Sequence, residues 1–180
     1  MHASPESLPR LSPEAYLAYE REQAVRHESV DGYLYAMTGA SDHHEEIALN
    51  LAAALRTHLR GSRCRVYKGD LKIRVADDFY YPDVFVRCSD RRGDAYFKTD
   101  PVMVAEVLSP GTQRYDRGDK RLAYSSLPTL RDYVLIAQDR MMVEVYSPRE
   151  TRDCLRLERP DDLLRIDSVD FSISLAELYE

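Results

Sequence analysis

The chain has 180 residues, of which 44% are apolar. This length and apolar fraction suffice for a folded domain with a hydrophobic core, so a disordered chain is excluded. Its net charge is −6, from 25 basic and 31 acidic residues, which argues against a protein that coats nucleic acid with a basic surface. An enzyme that acts on nucleic acid is still allowed, since bound divalent cations neutralise part of an acidic site.

Cellular location and domain count follow from the same composition. No apolar run approaches the roughly 20 residues that a membrane helix requires, so we expect no membrane partner. Cys64, Cys88 and Cys154 are far apart and match no metal-binding spacing, so we expect reduced, buried thiols in a cytoplasmic protein. We expect a single domain over residues 1–180, with a flexible start at residues 1–11.

Local signals predict a helix and then a hairpin near the start of the chain. Ser12 is a suitable N-cap, and Pro13 follows it at the first helical position, which predicts a helix over "SPEAYLAYE". The segment "HESVDGYLYAM" predicts a hairpin that turns at Asp31 and Gly32. Glu28 begins this hairpin, either as a solvent-facing strand residue or as a second-rank site residue.

The strongest helical pattern runs over residues 42–60. Asp42 and Glu45 have capping-box spacing at its start, and Gly61 is a suitable stop. Helical periodicity predicts one buried stripe, made of Ile47, Leu51, Leu55 and His58. His44 falls near the centre of that stripe, so it is either a hydrogen-bonded core residue or a second-rank site residue.

The remaining elements are mostly strands. Apolar and alternating runs predict strands at 63–67, 71–75, 81–88, 101–108, 132–137 and 142–147, with weaker ones near 154–158 and 163–166. Helices are predicted at 115–127 and in a final turn at 175–179. This order of elements predicts an α/β fold in which helices flank a mixed central sheet.

Two of the predicted strands each carry a carboxylate among apolar residues. Asp83 lies in "YPDVFV" and Glu106 lies in "PVMVAEVL". A carboxylate in such a strand is costly unless it is paired or bound to a metal. If the two strands are neighbours, the carboxylates converge at one edge of the sheet and suit Mg²⁺. The alternative is that Asp83 caps the turn after Pro82 and Glu106 pairs with an arginine.

Lys120 is the third candidate site residue. Helical phase places Asp116 and Lys120 on the face that packs against the sheet. From there the ammonium could reach the carboxylates, stabilise the charge of an attacked phosphate or orient a water molecule. The alternative is an ordinary salt bridge within the helix.

The segments "YYPDVFV", "PVMVAEVLSPGT" and "YDRGDKRLAYSSLPTLRDYVLI" resemble the Uma-type restriction endonuclease family of the PD-(D/E)XK nuclease superfamily. The resemblance extends from "HESVDGYLYAM" through "MMVEVY". It implies a restriction-endonuclease-like core and metal-dependent cleavage of DNA. It also implies that Asp83 and Glu106 bind Mg²⁺ or Mn²⁺, with the backbone carbonyl of Val107 as a third ligand.

One residue departs from the superfamily pattern. The usual lysine would stand two residues after Glu106, where this chain has Leu108. Uma-type proteins resemble this chain in having a lysine on the following helix, so we expect Lys120 to replace it, with Lys72 as a rival. Glu28 and His44 also match recurrent positions of the family.

Our functional hypothesis is a magnesium-dependent endonuclease that hydrolyses phosphodiester bonds in DNA and works as a homodimer. One alternative is a nuclease-fold module that no longer turns over and acts through dimerisation. Another is a phosphoesterase that acts on small nucleotides, which the negative charge would suit better than long DNA.

Overall fold

The computed structural model describes residues 10–37, 39–90, 92–148 and 154–180. Its helical elements are α1 Pro13–Glu20, α2 Asp42–His58, α3 Gln113–Tyr115, a π-turn Asp116–Lys120, α4 Arg121–Ser125, a 3-10 turn Asp167–Val169 and α5 Leu175–Leu178. None of the helices in these ranges is long and apolar enough to cross a membrane. Residues 1–9 of the expected flexible start lie outside the described residues, whereas the backbone N–H of Leu11 is hydrogen-bonded to the carbonyl of Gly32 at 2.9 Å.

The described strands form three sheets. Five strands form the first sheet: β1 His27–Val30, β2 Tyr33–Ala36, β4 Lys72–Val75, β5 Asp78–Tyr80 and β7 Phe97–Lys98. Six strands form the second sheet: β3 Cys64–Lys68, β6 Val84–Cys88, β8 Met103–Leu108, β9 Asp132–Ala137, β10 Val143–Tyr146 and β11 Leu155–Leu157. A small third sheet pairs β12 Leu163–Ile166 with β13 Phe171–Ser174.

The six-stranded sheet is the mixed central sheet that the sequence predicted. Its order is β11-β10-β9-β8-β6-β3, in which β8 and β9 are parallel and the other neighbours are antiparallel. Asp83 directly precedes β6, and Glu106 lies in β8. These two strands are direct neighbours, with Val84 opposite Ala105. The expectation that these strands adjoin is therefore confirmed.

Each face of the central sheet packs against a different layer. On one face α2 buries Ile47, Leu51 and Leu55 against the alternate residues of β8, which include Ala105 and Val107. The other face contacts the helical segment 113–125 and the five-stranded sheet; its core includes Phe85, Val104, Leu108, Tyr124 and Tyr133. Because successive strand residues face opposite sides, Glu106 lies on this second face.

The early predictions of local structure are confirmed. The hydroxyl of Ser12 accepts a hydrogen bond from the N–H of Ala15 and caps α1. Asp31 and Gly32 both have positive φ, 52° and 78°, which a two-residue hairpin turn requires. The hairpin of β1 and β2 therefore turns where the sequence placed it.

The structure corrects several boundaries. The N-cap of α2 is Ser41 and not Asp42, since the Ser41 hydroxyl accepts from the N–H of His44. His58 is exposed at the end of the helix and bonds to the carbonyl of Val169, so its place on the buried stripe was wrong. The strand predicted over 81–88 begins only at Val84, and the helix predicted over 115–127 spans 113–125 with the π-turn inside it.

The cysteines also differ from the expectation. Cys64 and Cys88 stand opposite each other on β3 and β6, with Cα atoms 4.0 Å apart, and form a disulfide. Cys154 is a free thiol, and all three residues are half-buried. The prediction of three buried thiols was wrong because pairing across two strands brings together cysteines that are 24 residues apart in sequence.

Candidate active site

A cavity of about 630 Å³ lies where β1 and β2 approach the ends of β6 and β8. Polar side chains from several elements line it, among them Glu28, His44, Asp83, Glu106, Asp116 and Lys120. Lys68 and Gln138 lie on the same lining. The cavity therefore collects most of the residues that the sequence singled out.

Glu106 is at the centre of this group. Its side chain is almost fully buried, and Oε1 lies 3.0 Å from Nζ of Lys120. The hydroxyl of Tyr124 donates to Oε1 at 3.3 Å, and the backbone N–H of Asp83 donates to Oε2 at 3.4 Å. The two oxygens of one carboxylate thus face two different neighbours, the lysine on one side and Asp83 on the other.

Lys120 is surrounded by carboxylates. Its Nζ lies 2.9 Å from Oε1 of Glu28, 3.0 Å from Oε1 of Glu106 and 3.9 Å from Oδ1 of Asp116. Only 5% of Lys120 is exposed. The contact within the helical segment is the longest, so the simple helix salt bridge does not describe this residue.

The π-turn helps to direct Lys120 inward. It covers residues 116–120, and both of its end residues, Asp116 and Lys120, are buried. The hydroxyl of Tyr133 on β9 donates to the backbone carbonyl of Asp116 at 2.9 Å. Single π-turns within helices frequently occur at functional sites, where the wider turn changes the direction of side chains.

Asp83 lies just before β6 and connects two elements. Its Oδ1 is 3.0 Å from Nε2 of His44, near the start of α2, and its Oδ2 accepts the N–H of Val107 at 2.7 Å. Val107 is beyond the last residue of β8 that pairs with β6. Since the N–H and C=O of a strand residue point to the same side, the carbonyl of Val107 also faces Asp83.

The electrostatics of the cluster follow from burial and from a surplus of carboxylates. Burial raises the pKa of Glu106; Lys120 lowers it, and Asp83 and Asp116 raise it further, so that it lies well above its usual range. Burial also raises the pKa of Asp116. For Lys120, burial lowers the pKa, but the charges of Glu106 and Glu28 outweigh burial and raise it well above its ordinary value.

The pKa of His44 is also set by the balance between burial and a neighbouring charge. Burial lowers the pKa of the imidazole, yet the hydrogen bond and the negative charge of Asp83 outweigh burial, and the pKa is raised. Nδ1 of His44 is buried and has no hydrogen-bond partner among the residues that the structure describes. The ring therefore contacts Asp83 through one nitrogen only.

The donor set fits a magnesium or manganese ion on the Asp83 side of Glu106. Carboxylate and carbonyl oxygens are the ligands that these ions prefer, and Mg²⁺ usually keeps several waters beside one or two carboxylates. Asp83, Glu106 and the carbonyl of Val107 could supply such a set. Among the described residues, no group of three or more His, Cys, Asp or Glu side chains is arranged around one metal position, so waters would complete the coordination.

The structure brings together most of the predicted site residues and excludes one. Glu28 is buried and bonded to Lys120, so the solvent-facing alternative was wrong. Lys72 is buried rather than on a polar face; its Nζ lies 4.8 Å from the centre of the Tyr81 ring, outside the cavity lining, and burial lowers its pKa. Leu108, where the superfamily lysine would stand, packs into the core.

Sequence reasoning missed two tyrosines that position the site. The hydroxyl of Tyr124 bonds to Glu106, and the backbone N–H of Tyr81 donates to Oε1 of Glu28 at 2.9 Å. Tyr124 falls beside Lys120 in the helical phase, which was an available signal. No sequence signal pairs Tyr81 with Glu28, since the two are 53 residues apart.

The fold is a restriction-endonuclease-like α/β fold, and its cluster of acidic side chains lies at the end of the central sheet. A crystal structure described as "a putative nuclease belonging to DUF820", from Anabaena variabilis, is similar with a TM-score of 0.81. The match covers 94% of this chain and 97% of that one, at 18% identity, and at this identity it supports the fold alone.

The family follows from the sequence. The chain belongs to the Uma2 family, described as "Putative restriction endonuclease", whose model matches residues 13–176. The chain is 37% identical over 182 residues to the uncharacterized protein slr1290 of Synechocystis sp., with 99% of this chain and 96% of that protein covered. It is 28% identical over 153 residues to the uncharacterized protein sll1609 of the same organism, with 82% and 86% covered. The resemblance to the Uma-type family is confirmed.

Proposed function

We propose that this protein is a Mg²⁺- or Mn²⁺-dependent endonuclease that hydrolyses phosphodiester bonds in DNA, as PD-(D/E)XK nucleases do. The observation that carries the proposal is the cavity in which Glu28, Glu106 and Asp116 share one ammonium, that of Lys120, while a fourth carboxylate, Asp83, lies beside Glu106 and His44. Such a surplus of negative charge is costly unless a further cation joins it. The family's description as a restriction endonuclease agrees with this proposal.

Each residue has a defined part in the proposed reaction. Asp83, Glu106 and the carbonyl of Val107 would hold the ion, which when bound would activate water and stabilise the charge of the attacked phosphate. The contact with Lys120 fixes Oε1 of Glu106, and the ammonium adds positive charge beside the reacting phosphate. His44 fixes Oδ1 of Asp83, so it is a positioning residue.

Nicking of supercoiled plasmid in Mg²⁺ or Mn²⁺ tests the reaction. We expect the parent protein to nick and Asp83→Ala to be inactive, while EDTA stops the parent. If no nicking occurs, or if Asp83→Ala nicks as fast as the parent, the endonuclease proposal fails. Folded but inactive protein at saturating metal would favour the module that acts through dimerisation.

A small-nucleotide phosphoesterase is the second candidate because of the size of the cavity. Its volume of about 630 Å³ is within the usual range of roughly 300–1,000 Å³ for small-molecule sites. A salt titration of DNA binding separates the two candidates. A steep loss of affinity with salt indicates many phosphate contacts and favours DNA, whereas a flat response favours a nucleotide.

We also propose that the protein acts as a homodimer in the cytoplasm. Two copies would present two cavities, one for each strand of a duplex. Light scattering at assay concentrations measures the molecular mass and so distinguishes a dimer from a monomer. The disulfide between Cys64 and Cys88 counts against a reducing cytoplasm, since disulfides persist mainly in oxidising compartments. Thiol trapping at the moment of cell lysis measures whether the disulfide is present in the cell.

A further inference from the structure

Two basic residues line the cavity on the side of Asp83. Lys68 is the last residue of β3 and stands opposite Val84 on β6, and the N–H of the next residue, Gly69, donates to the carbonyl of Asp83 at 3.0 Å. Arg26, which directly precedes β1, reaches the same place, since a Cβ on Gly69 would lie 4.0 Å from Nη1 of Arg26. Residues from both larger sheets therefore bring positive charge to the segment that carries Asp83.

The acidic partners of these two cations are exposed to solvent. Nζ of Lys68 lies 2.5 Å from Oε2 of Glu45, whose side chain is 57% exposed. Nη1 of Arg26 lies 2.5 Å from Oδ1 of Asp70, whose side chain is 85% exposed. Exposed ion pairs contribute little to stability and are weakened by salt. A phosphate can therefore replace either carboxylate at small cost.

Lys120 differs from these two residues because its partners are buried. Its ammonium lies between Glu28 and Glu106, and all three side chains are almost fully buried. Among the described residues that line the cavity, Arg26 and Lys68 are the basic side chains that reach solvent. A charged substrate that enters from solvent meets these two first.

We propose that Arg26 and Lys68 bind a phosphate of the substrate strand, next along the strand to the phosphate that lies at Asp83 and Glu106. This inference rests on the proposed action on DNA. It implies a substrate with neighbouring phosphates, which a polynucleotide has and a nucleoside monophosphate lacks. The guanidinium offers paired donors and the ammonium a compact charge, and both suit phosphate oxygens.

The salt dependence of DNA binding tests the inference without any cleavage. Fluorescence anisotropy of a labelled duplex oligonucleotide, measured in EDTA and again in Ca²⁺, gives the change of log Kd with log salt concentration. Each lost phosphate contact lowers this slope by about 0.9 on duplex DNA. We therefore expect the slope of the double variant Arg26→Met, Lys68→Met to be smaller than that of the parent by about 1.8.

The matched control is the double variant Arg74→Met, Arg156→Met, which removes the same charge elsewhere. Arg156 pairs with the exposed Glu158 at 2.6 Å, and Arg74 pairs with the exposed Asp77 at 3.0 Å. Neither arginine lies on the cavity lining. The control should keep the slope of the parent.

Glu45→Gln gives a result that loss of the fold cannot imitate. It releases Lys68, so the duplex should bind more tightly, by up to about fivefold, which is the worth of an exposed ion pair. The gain should disappear when Glu45→Gln is made in the Lys68→Met background. Glu46→Gln removes a neighbouring exposed carboxylate of α2 that is not on the cavity lining, and it should give a smaller gain.

Failure of this inference and failure of the proposed hydrolysis give different results. A parent that binds no duplex in either buffer overturns the inference, as does an equal loss of slope in the control. If the parent nicks plasmid but Arg26→Met, Lys68→Met keeps the parental slope, the endonuclease stands and the phosphate contacts fail. If the slope falls as expected but the parent never nicks, the phosphate contacts stand and hydrolysis fails.

Discussion

Two buried polar clusters meet at Tyr81 and differ in how their carboxylates are satisfied. On one side the Tyr81 hydroxyl donates to Oε1 of Glu20 at 2.9 Å, and the N–H of His27 donates to the same oxygen at 2.8 Å. Oε2 of Glu20 lies 3.1 Å from Nδ1 of His27. We call Glu20, His27 and the Tyr81 hydroxyl the Glu20 cluster.

On the other side, the backbone N–H of Tyr81 donates to Glu28, which begins the Lys120 cluster of Glu28, Glu106, Asp116 and Lys120. There, three carboxylates share one ammonium and line the cavity. In the Glu20 cluster both carboxylate oxygens have close partners from the protein, and Glu20 and His27 lie outside the cavity lining. Burial of an acid is therefore not by itself a sign of a functional site, and it is the surplus of acids beside the cavity that supports the proposed one.

The largest expected effect is on cleavage by Glu106→Gln. Loss of one metal ligand removes several kcal/mol of stabilisation from the transition state, or about 10³-fold in rate. Initial rates of plasmid nicking measure this. Glu20→Gln is the control from the other cluster and should cleave at the parental rate per folded molecule. Equal losses in the two variants would erase the distinction between the clusters.

The second effect concerns stability and should fall on the other cluster. Glu20→Ala leaves the N–H of His27 and the hydroxyl of Tyr81 buried without their acceptor, which we expect to cost about 3 kcal/mol at 1–3 kcal/mol for each unsatisfied group. Urea unfolding in EDTA measures the change. Asp116→Asn is the counterpart in the Lys120 cluster and should cost less, because it removes a carboxylate that burial disfavours. A larger loss for Asp116→Asn would contradict the comparison.

The third effect is on the pH dependence of stability without metal. Burial raises the pKa of Glu106 above its usual 4.5 or so; Lys120 lowers it, while Asp83, Asp116 and Glu28 raise it further. A raised folded-state pKa means that the stabilisation from the bound proton is fully present below the unfolded pKa and is lost as pH rises through the folded pKa. Relative to Glu106→Gln, the parent should therefore lose stability as pH rises above about 4.5.

Glu177→Gln is the control, because the contribution of Glu177 to stability should change with pH in the opposite direction. Hydrogen bonds from Ser174 lower the pKa of Glu177, so its contribution is present above the unfolded pKa and is lost as pH falls through the folded one. Thermal unfolding in EDTA from acid to neutral pH measures both variants against the parent. Slopes of the same sign would show that Glu106 does not carry the surplus charge.

The smallest expected effect is that of Tyr81→Phe. It removes one donor to Glu20 but keeps the backbone N–H that reaches Glu28. We expect a loss of about 1 kcal/mol in unfolding free energy, typical of one hydrogen bond, with unchanged Mn²⁺ binding. Urea unfolding and metal counting on the same sample measure the two together. A change in ion number would mean that the two clusters are coupled through Tyr81.

Much of the candidate site could be predicted from the sequence because its residues stand out locally. Asp83 and Glu106 interrupt apolar runs, and Lys120 falls on the inward phase of its helical segment. What could not be predicted was the connection between distant elements. The contact of Glu28 with Lys120 joins residues 92 positions apart, and only the packing of the helical segment 113–125 against the two larger sheets brings them together.

The strands that sequence reasoning missed have a similar cause. Residues 78–80 and 97–98 are too short for alternation to show, and each is a strand because a neighbour supplies the hydrogen bonds. Residues 171–174 do alternate between apolar and polar side chains, a local signal that sequence reasoning overlooked. The exclusion of Lys72 is also a tertiary effect. Alternation placed Lys72 on a polar face, but its side chain is buried with its ammonium 4.8 Å from the centre of the Tyr81 ring.

By itself, the sequence determined the Ser12 cap of α1, the hairpin turn at Asp31 and Gly32, the central strands and the two carboxylates, since each depends on residues that are near in the chain. The tertiary structure alone decided that three buried acids surround Lys120, that Cys64 faces Cys88, and that His44 contacts Asp83. The physical reason is that hydrogen bonds and charge pairs depend on distance in space, and the packing of the sheets sets that distance.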